Sequence, residues 1–286
     1  ARRISCTMPS EKICDPHSLS DVSASQVTQV ATASTHLEGH DTGHDLAAQV
    51  ARQFGTSLPD AIIVFASSDN DYEALLRSLA APFPASIIVG CSSAGEFTSD
   101  GAGTNRTSLL ALRAPEMRFT ASLASGLSAD RSDAARQLVS GFKGLESSQF
   151  RYRTALLLVD ALAGHAEDLV DQMTVATGGM YQFVGGGAGD NGRFNRTHVF
   201  MGTHAHTNAA VALEILSNKP IGIGARHGWS AASDLLRVTE SEESRVVSLN
   251  VSPALEIFDE YATETNQHFD HADPMPVTQI TLQQIV

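Results

Sequence analysis

Cysteine, tryptophan and clustered basic residues are what this 286-residue chain has least of. Its three cysteines, Cys6, Cys14 and Cys91, fall at irregular spacing, which excludes both a disulfide framework and a zinc pattern. An odd count in a chain of this length suits a reducing compartment. Lys and Arg number 19 against 32 Asp and Glu, a formal net charge of −13, and no basic patch of the kind that phosphate backbones need is present. Nucleic acid is therefore not an expected partner. No apolar run approaches the roughly 18 residues of a membrane span, and the N-terminus lacks the apolar core of a signal peptide. The expectation is a cytoplasmic protein that does not engage a membrane.

What is present is an ordinary globular composition, 42% hydrophobic, enough for one large domain or two smaller ones. Residues 1–25 are polar and Ser-rich without helix or strand period, and read as disorder or a leader. From there strands and helices alternate. Residues 27–35 predict a strand, and Leu46, Val50 and Phe54 mark one face of a helix over 45–54. The apolar run AIIVFA at 61–66 predicts a strand covered on both faces. Tyr72, Leu75, Leu76 and Leu79 then define a helix with Asp69 or Asn70 as its cap. Strands follow at 86–89, 107–112 and 117–123, then a helix at 133–142, a strand at 154–159 and a helix at 166–174. Residues 209–216, 221–226, 235–239 and 246–250 are strand-like, and 253–261 reads as a helix with Pro253 at its first turn.

The order repeats. Helices close on Phe54 and Phe142, apolar strands sit at Ile62 and Leu156, and glycine turns begin at Gly90 and Gly185, offsets of about 90 residues that indicate internal duplication. Each turn is followed by an Asn-Arg-Thr triplet, at Asn105 and again at Asn195, opening another apolar stretch. The fold class expected is α/β: two similar strand-helix-strand-helix-strand-strand units, spanning 27–112 and 117–202, with helices outside central sheets.

The two glycine turns are the expected ligand site. Such turns expose backbone N–H groups and leave room for a bound molecule. The candidate ligand-binding residues are Gly90, Cys91, Ser92, Ser93 and Gly95 in the first, and Gly186, Gly187, Asp190 and Asn191 in the second. The bland alternative is a backbone requirement for close chain approach. Gly187 to Gly192 matches Gly-x-Gly-x-x-Gly, yet β-like sequence follows where a dinucleotide fold needs a helix N-terminus. Cys91 as the nucleophile of a Cys-dependent enzyme is the competing reading, although its surroundings do not match Gly-x-Ser-x-Gly and a lone cysteine is more often a core residue. His36, His40 and His44 recur every four residues beside acidic side chains, but Gly39 and Gly43 argue for a solvated loop. His204 and His206 would share a strand face at the surface. His227, beside Gly228 and the only tryptophan, Trp229, is either hydrogen-bonded to backbone or a neutral imidazole on an apolar rim, which is what an axial ligand requires.

Several of these strings together resemble the FIST domains (F-box and intracellular signal transduction): VFASSDND at 64–71, VGCSSAGEF at 89–97, FVGGGAGDN at 183–191, HGW at 227–229 and the passage from Leu235 to Tyr261. The resemblance implies a non-enzymatic sensory domain over residues 26–230 and the start of a truncated C-terminal module over 231–286. It implies a small-molecule sensor working beside a histidine kinase or a cyclic-dinucleotide enzyme, with a second copy of the chain as a further candidate partner. One subgroup of the family carries haem and senses nitric oxide; here the resemblance would give the iron to His227, with Trp229 beside it, and His198 as second choice.

Overall fold

Short apolar runs become strands, and amphipathic stretches between them become helices laid across one face. The computed structural model describes residues 27–99, 101–225, 234–242, 245–266, 268 and 271–272. Its first part runs β1 (Gln29–Thr35), α1 (Gly39–Phe54), β2 (Ala61–Ser67), α2 (Tyr72–Ala80), β3 (Ile87–Ser93), the small hairpin β4 (Glu96–Thr98) and β5 (Gly101–Gly103), and β6 (Thr107–Arg113). The second part runs β7 (Arg118–Ser125), α3 (Arg131–Ser140), β8 (Tyr152–Val159), α4 (Ala166–Ala176), β9 (Gln182–Gly187), the hairpin β10 (Val199–Met201) and β11 (His204–His206), and β12 (Ala209–Ser217). A separate three-stranded sheet, β13 (Val238–Glu242), β14 (Arg245–Leu249) and β15 (Ser252–Pro253), precedes α5 (Glu256–Glu264).

The fold is α/β. The first sheet has the order β1-β6-β2-β3-β10-β11 and the second β7-β12-β8-β9. In each, the strand that precedes a helix lies parallel to the one that follows it, β2 with β3 and β8 with β9, and the long last strand returns antiparallel, β6 or β12. Leu46, Val50, Leu75, Leu76 and Leu79 seal α1 and α2 onto the first sheet, and Leu138, Leu169 and Met173 seal α3 and α4 onto the second. Each such side chain, fully shut from water, contributes about 1.5–3 kcal/mol. A third core, with Ile63, Val89 and Cys91 from one sheet and Leu158, Val211 and Leu213 from the other, lies where the two sheets stack face to face. That gives four layers, helices outermost. No described helix is long and apolar enough to cross a membrane.

Five expectations are corrected. First, α1 begins at Gly39, so His40 and His44 stand on a helix with ring centroids 4.2 Å apart, and only 36–38 is an open connection. Gly43 is there for packing: a Cβ on it would lie 2.0 Å from Ser78 Oγ and 2.3 Å from the Leu75 carbonyl oxygen on α2. Helix contact outweighs the propensity cost of about 1 kcal/mol. Second, α2 is capped by Asp71, whose side chain accepts from the Ala74 N–H, one residue beyond the expected caps. Third, β3 continues through Ser93, so Gly90 to Ser93 form strand rather than turn. Fourth, β10 joins the first sheet, antiparallel to β3, and the strand that completes the second sheet is β12. The sequence 195–202 is therefore not the counterpart of β6, and the second unit does not end at 202. Fifth, residues 221–225, expected within a strand, carry none.

Candidate functional site

The carboxyl ends of β2 and β3 meet the segment that leaves β9, and the contact is closer than side chains allow. The Gly189 N–H donates to the Ser92 carbonyl at 2.8 Å, and a Cβ on Gly189 would lie 2.9 Å from the Ala94 nitrogen. The expected glycine turns are thus brought together, through Ser92, Ser93 and Ala94 on one side and 189–191 on the other. Carboxyl ends of parallel strands in α/β sheets are where ligands settle, because the chain there turns away and leaves a crevice.

Asn191 is the joint. Its backbone is left-handed at φ 59°, which Asn tolerates better than other side chains. Its Nδ2 reaches Ser67 Oγ at 3.1 Å, Asn105 Oδ1 at 3.3 Å and Asp69 Oδ2 at 3.5 Å, at the end of β2 and on the first sheet's loops. Asn105 is left-handed too, at φ 55°. Two residues on, Arg193 pairs with Asp69 at 2.8 Å. Both partners are half-exposed, so this pair orients the loops more than it stabilises them. Around this joint are buried polar atoms without a partner among the described residues: Asn70 Oδ1, Arg106 Nε and Asn191 Oδ1. His198 Nδ1 is likewise without a partner among the described residues, its ring 4.9 Å from that of Tyr72. Leaving such atoms unpaired costs about 1–3 kcal/mol each, and so many converging at one place is the mark of a site built for something polar.

Asp190 builds the loop that presents Asn191 and Arg193. Its carboxylate accepts the N–H groups of Phe194 at 2.9 Å, Asn195 at 2.6 Å and Arg196 at 3.0 Å. Burial would raise this carboxyl, but the N–H groups outweigh it and hold the pKa below the usual carboxylate range. The same ring of bonds holds exposed Phe194 at φ 49°, a strained setting for a bulky residue. Buried Glu96 acts similarly on the facing loop, accepting Ser93 Oγ at 2.5 Å and the Arg106 N–H at 3.0 Å.

Among the residues singled out from sequence, Ser93, Asp190 and Asn191 thus come together, with exposed Gly95 just beyond Ser93. Gly90, Cys91 and Ser92 do not face the crevice. Gly90 lies against β2, where a Cβ would sit 2.0 Å from the Val64 carbonyl oxygen. Cys91 is buried in the core between the sheets, and burial pushes its thiol up to about 12, which makes it a neutral apolar residue. Ser92 is fully buried and receives the His198 N–H at 2.9 Å, tying β3 to β10. Gly186 and Gly187 are exposed on β9. Ser67, Asp69, Asn70, Asn105, Arg106 and Arg193 were not singled out as site residues, although 64–71 and the first Asn-Arg-Thr triplet hold five of them.

His227 and Trp229, the residues assigned to haem, lie outside the described residues. Of the two histidines named for the iron, only the second choice, His198, is described. His198 Nδ1 is enclosed, its ring packs on Tyr72, and Tyr72 packs on Phe200 at 4.8 Å, so the imidazole belongs to the wall of the core. Burial, then the Arg196 charge, lowers its pKa. No group of three or more metal-ligating side chains is present among the described residues. Surface depressions lined by Gln49, Arg52 and Gln53, and by Glu240, Val247 and Val251, share no residue with the joint.

The sequence model of one family, described as FIST N domain, matches residues 60–252. No curated protein matches the chain. A solved structure of a cyanuric acid hydrolase from A. caulinodans is similar over 67% of this chain and 72% of its own, at 10% identity and a TM-score of 0.33. That likeness is too loose to carry an argument.

Proposed function

Because the chain belongs to the FIST N domain family of signal-transduction sensors, we propose that it binds a small polar molecule where the loops after β2, β5 and β9 meet. The bound state is then read by a partner histidine kinase or cyclic-dinucleotide enzyme. The observation that supports this reading is the convergence of unpartnered buried atoms, Asn70 Oδ1, Arg106 Nε and Asn191 Oδ1, from both sheets. They include a cationic donor, Arg106, and two amide acceptors, so the complementary ligand carries both acceptor and donor groups. A ligand that takes up Asn191 Oδ1 acts on the residue that joins the two sheets' loops, and so favours one arrangement of 189–197 over others. That differential contact is what a sensor requires to shift a population.

In this reading the module performs no chemistry of its own. Haem would rest on His227, and nothing in the described site adds to that reading, so no step is assigned to it. The test is calorimetric titration and thermal shift of the full chain against a panel of small polar metabolites, anionic and zwitterionic ones included. A binder should lose roughly tenfold or more in affinity in Asn191→Ala and in Asn70→Ala, since a buried hydrogen-bonding group left without its partner costs about 1–3 kcal/mol. A metabolite that binds both variants as tightly as the parent chain would remove the site from consideration.

A further inference from the structure

The two sheets treat their edges differently. In the first, β3 is followed on its outer side by antiparallel β10, with Phe200 opposite Gly90. In the second, β9 holds the position that β3 holds in the first, beyond the middle parallel strand, and it carries its own glycine at the close approach: a Cβ on Gly185 would lie 1.7 Å from the Leu157 carbonyl oxygen. Yet among the described strands β9 pairs only with β8.

Which backbone groups this leaves open follows from the register. The Ala188 N–H donates to the Val159 carbonyl, and directions alternate along a strand, so the even-numbered residues of β9 point to β8. Phe183, Gly185 and Gly187 therefore turn their N–H and C=O groups outward. Among the described residues nothing receives them. The other long edges are blunted: Gln49 of α1 bonds both backbone groups of Ser34 on β1, Gln53 takes the Thr32 carbonyl, and Gln137 of α3 takes the Ser125 N–H on β7. On β9 there is no such side chain, no charge, no proline, and exposed glycine.

The geometry points to a second copy of this chain as the occupant of that edge, β9 against β9 in antiparallel array about a two-fold axis. The register is self-complementary. Gly185 lies opposite Gly185 of the other copy, and Phe183 opposite Gly187 on either side. Each outward residue then exchanges both its bonds, about six in all. Charge favours the same occupant. A molecule of net charge −13 repels its own kind, but from Gln172 to Gly189 the chain has no ionisable Asp, Glu, Lys or Arg. The connection into β9 also exposes Val175 and Met180, apolar surface that both copies would contribute. The result is one continuous eight-stranded sheet built from two four-stranded ones.

Sedimentation velocity with light scattering on the full chain tests this, with amide hydrogen exchange of β9 alongside. The expected mass is twice 30.3 kDa, with concentration-dependent protection at Phe183, Gly185 and Gly187. Gly186→Glu is the perturbation of choice, because a Cβ there meets nothing within 4 Å and the subunit fold is spared. It places a carboxylate from each copy beside the axis, and should halve the mass and abolish the protection while circular dichroism is unchanged. A monomer at every concentration, a dimer indifferent to Gly186→Glu, or protection of those amides in a monomer would each overturn the assignment, the last by showing the edge covered from within one chain.

Discussion

Removing the Asp190 carboxylate should loosen the loop that carries Asn191 and Arg193, and the structure sets how much. Phe194 N–H bonds one oxygen, and Asn195 and Arg196 N–H share the other. Hydrogen bonds to a charged acceptor contribute about 1.5–3 kcal/mol each. Residues 194–196 are exposed, so water replaces part of what is lost, and Asp190→Ala should cost about 2–4 kcal/mol. Asp190→Asn keeps one acceptor oxygen, can serve Asn195 and Arg196, and presents N–H to N–H only at Phe194, for a cost of about 1–2 kcal/mol. The native pKa lies below the unfolded value of about 3.9, so the carboxylate's contribution is complete above that value and is lost as pH falls through the native pKa. Urea midpoints of the three proteins between neutral and acidic pH provide the measurement. The order should be parent, Asn, Ala at neutral pH, with the gap between parent and Asn closing in acid. Equal midpoints, or a gap that pH does not change, would refute the role given to Asp190.

Two further tests probe the packing, one a substitution and one a chemical modification. Gly43→Ala gains about 1 kcal/mol of helix propensity and meets Leu75 O and Leu79 N, backbone atoms that cannot step aside, at 2.3 and 2.7 Å. Overpacking of about 1–3 kcal/mol should prevail, and a raised melting temperature would contradict the α1–α2 contact described. Cys91, its thiol near 12 and shut between the sheets, should resist iodoacetamide in the native protein and react only on unfolding. Prompt native alkylation at that residue, located by mass spectrometry, would speak against a buried neutral thiol.

The strands legible in the sequence are those with a continuous apolar run, such as AIIVFA in β2 and ALLLV in β8, because burial on two faces leaves few polar positions to confuse the pattern. What composition hides is contact between distant segments. Gly43 read as a helix breaker because the helix it touches is invisible from its own neighbours. β10 read as the end of its own unit because a three-residue strand carries too little pattern to say which sheet it will join. Glu214 was passed over although it stands alone in AAVALEILS. It is fully buried, accepting the N–H groups of Lys143 and Gly144 and the Tyr181 hydroxyl at 2.5 Å, and Tyr181 is pushed up by burial and by that contact. A single carboxylate inside an apolar run is a signal that backbone donors wait for it. The site was half legible: Asp190 and Asn191 stood out beside glycines, whereas Ser67, Asn70 and Asn105 have chemistry only through the partners they meet.

The crossing of β10 into the first sheet also orders events at the ribosome. By the time β6 has emerged, four strands and two helices of the first sheet are available, yet β3 still has a bare side next to Gly90. The strand that covers it is made only after α3, β8, α4 and β9. The N-terminal half must therefore persist with an unfinished edge during synthesis of about ninety residues, a few seconds to tens of seconds at ordinary elongation rates. The same late segment brings His198 against Ser92, so the crevice forms only after the chain has passed through α3, β8, α4 and β9.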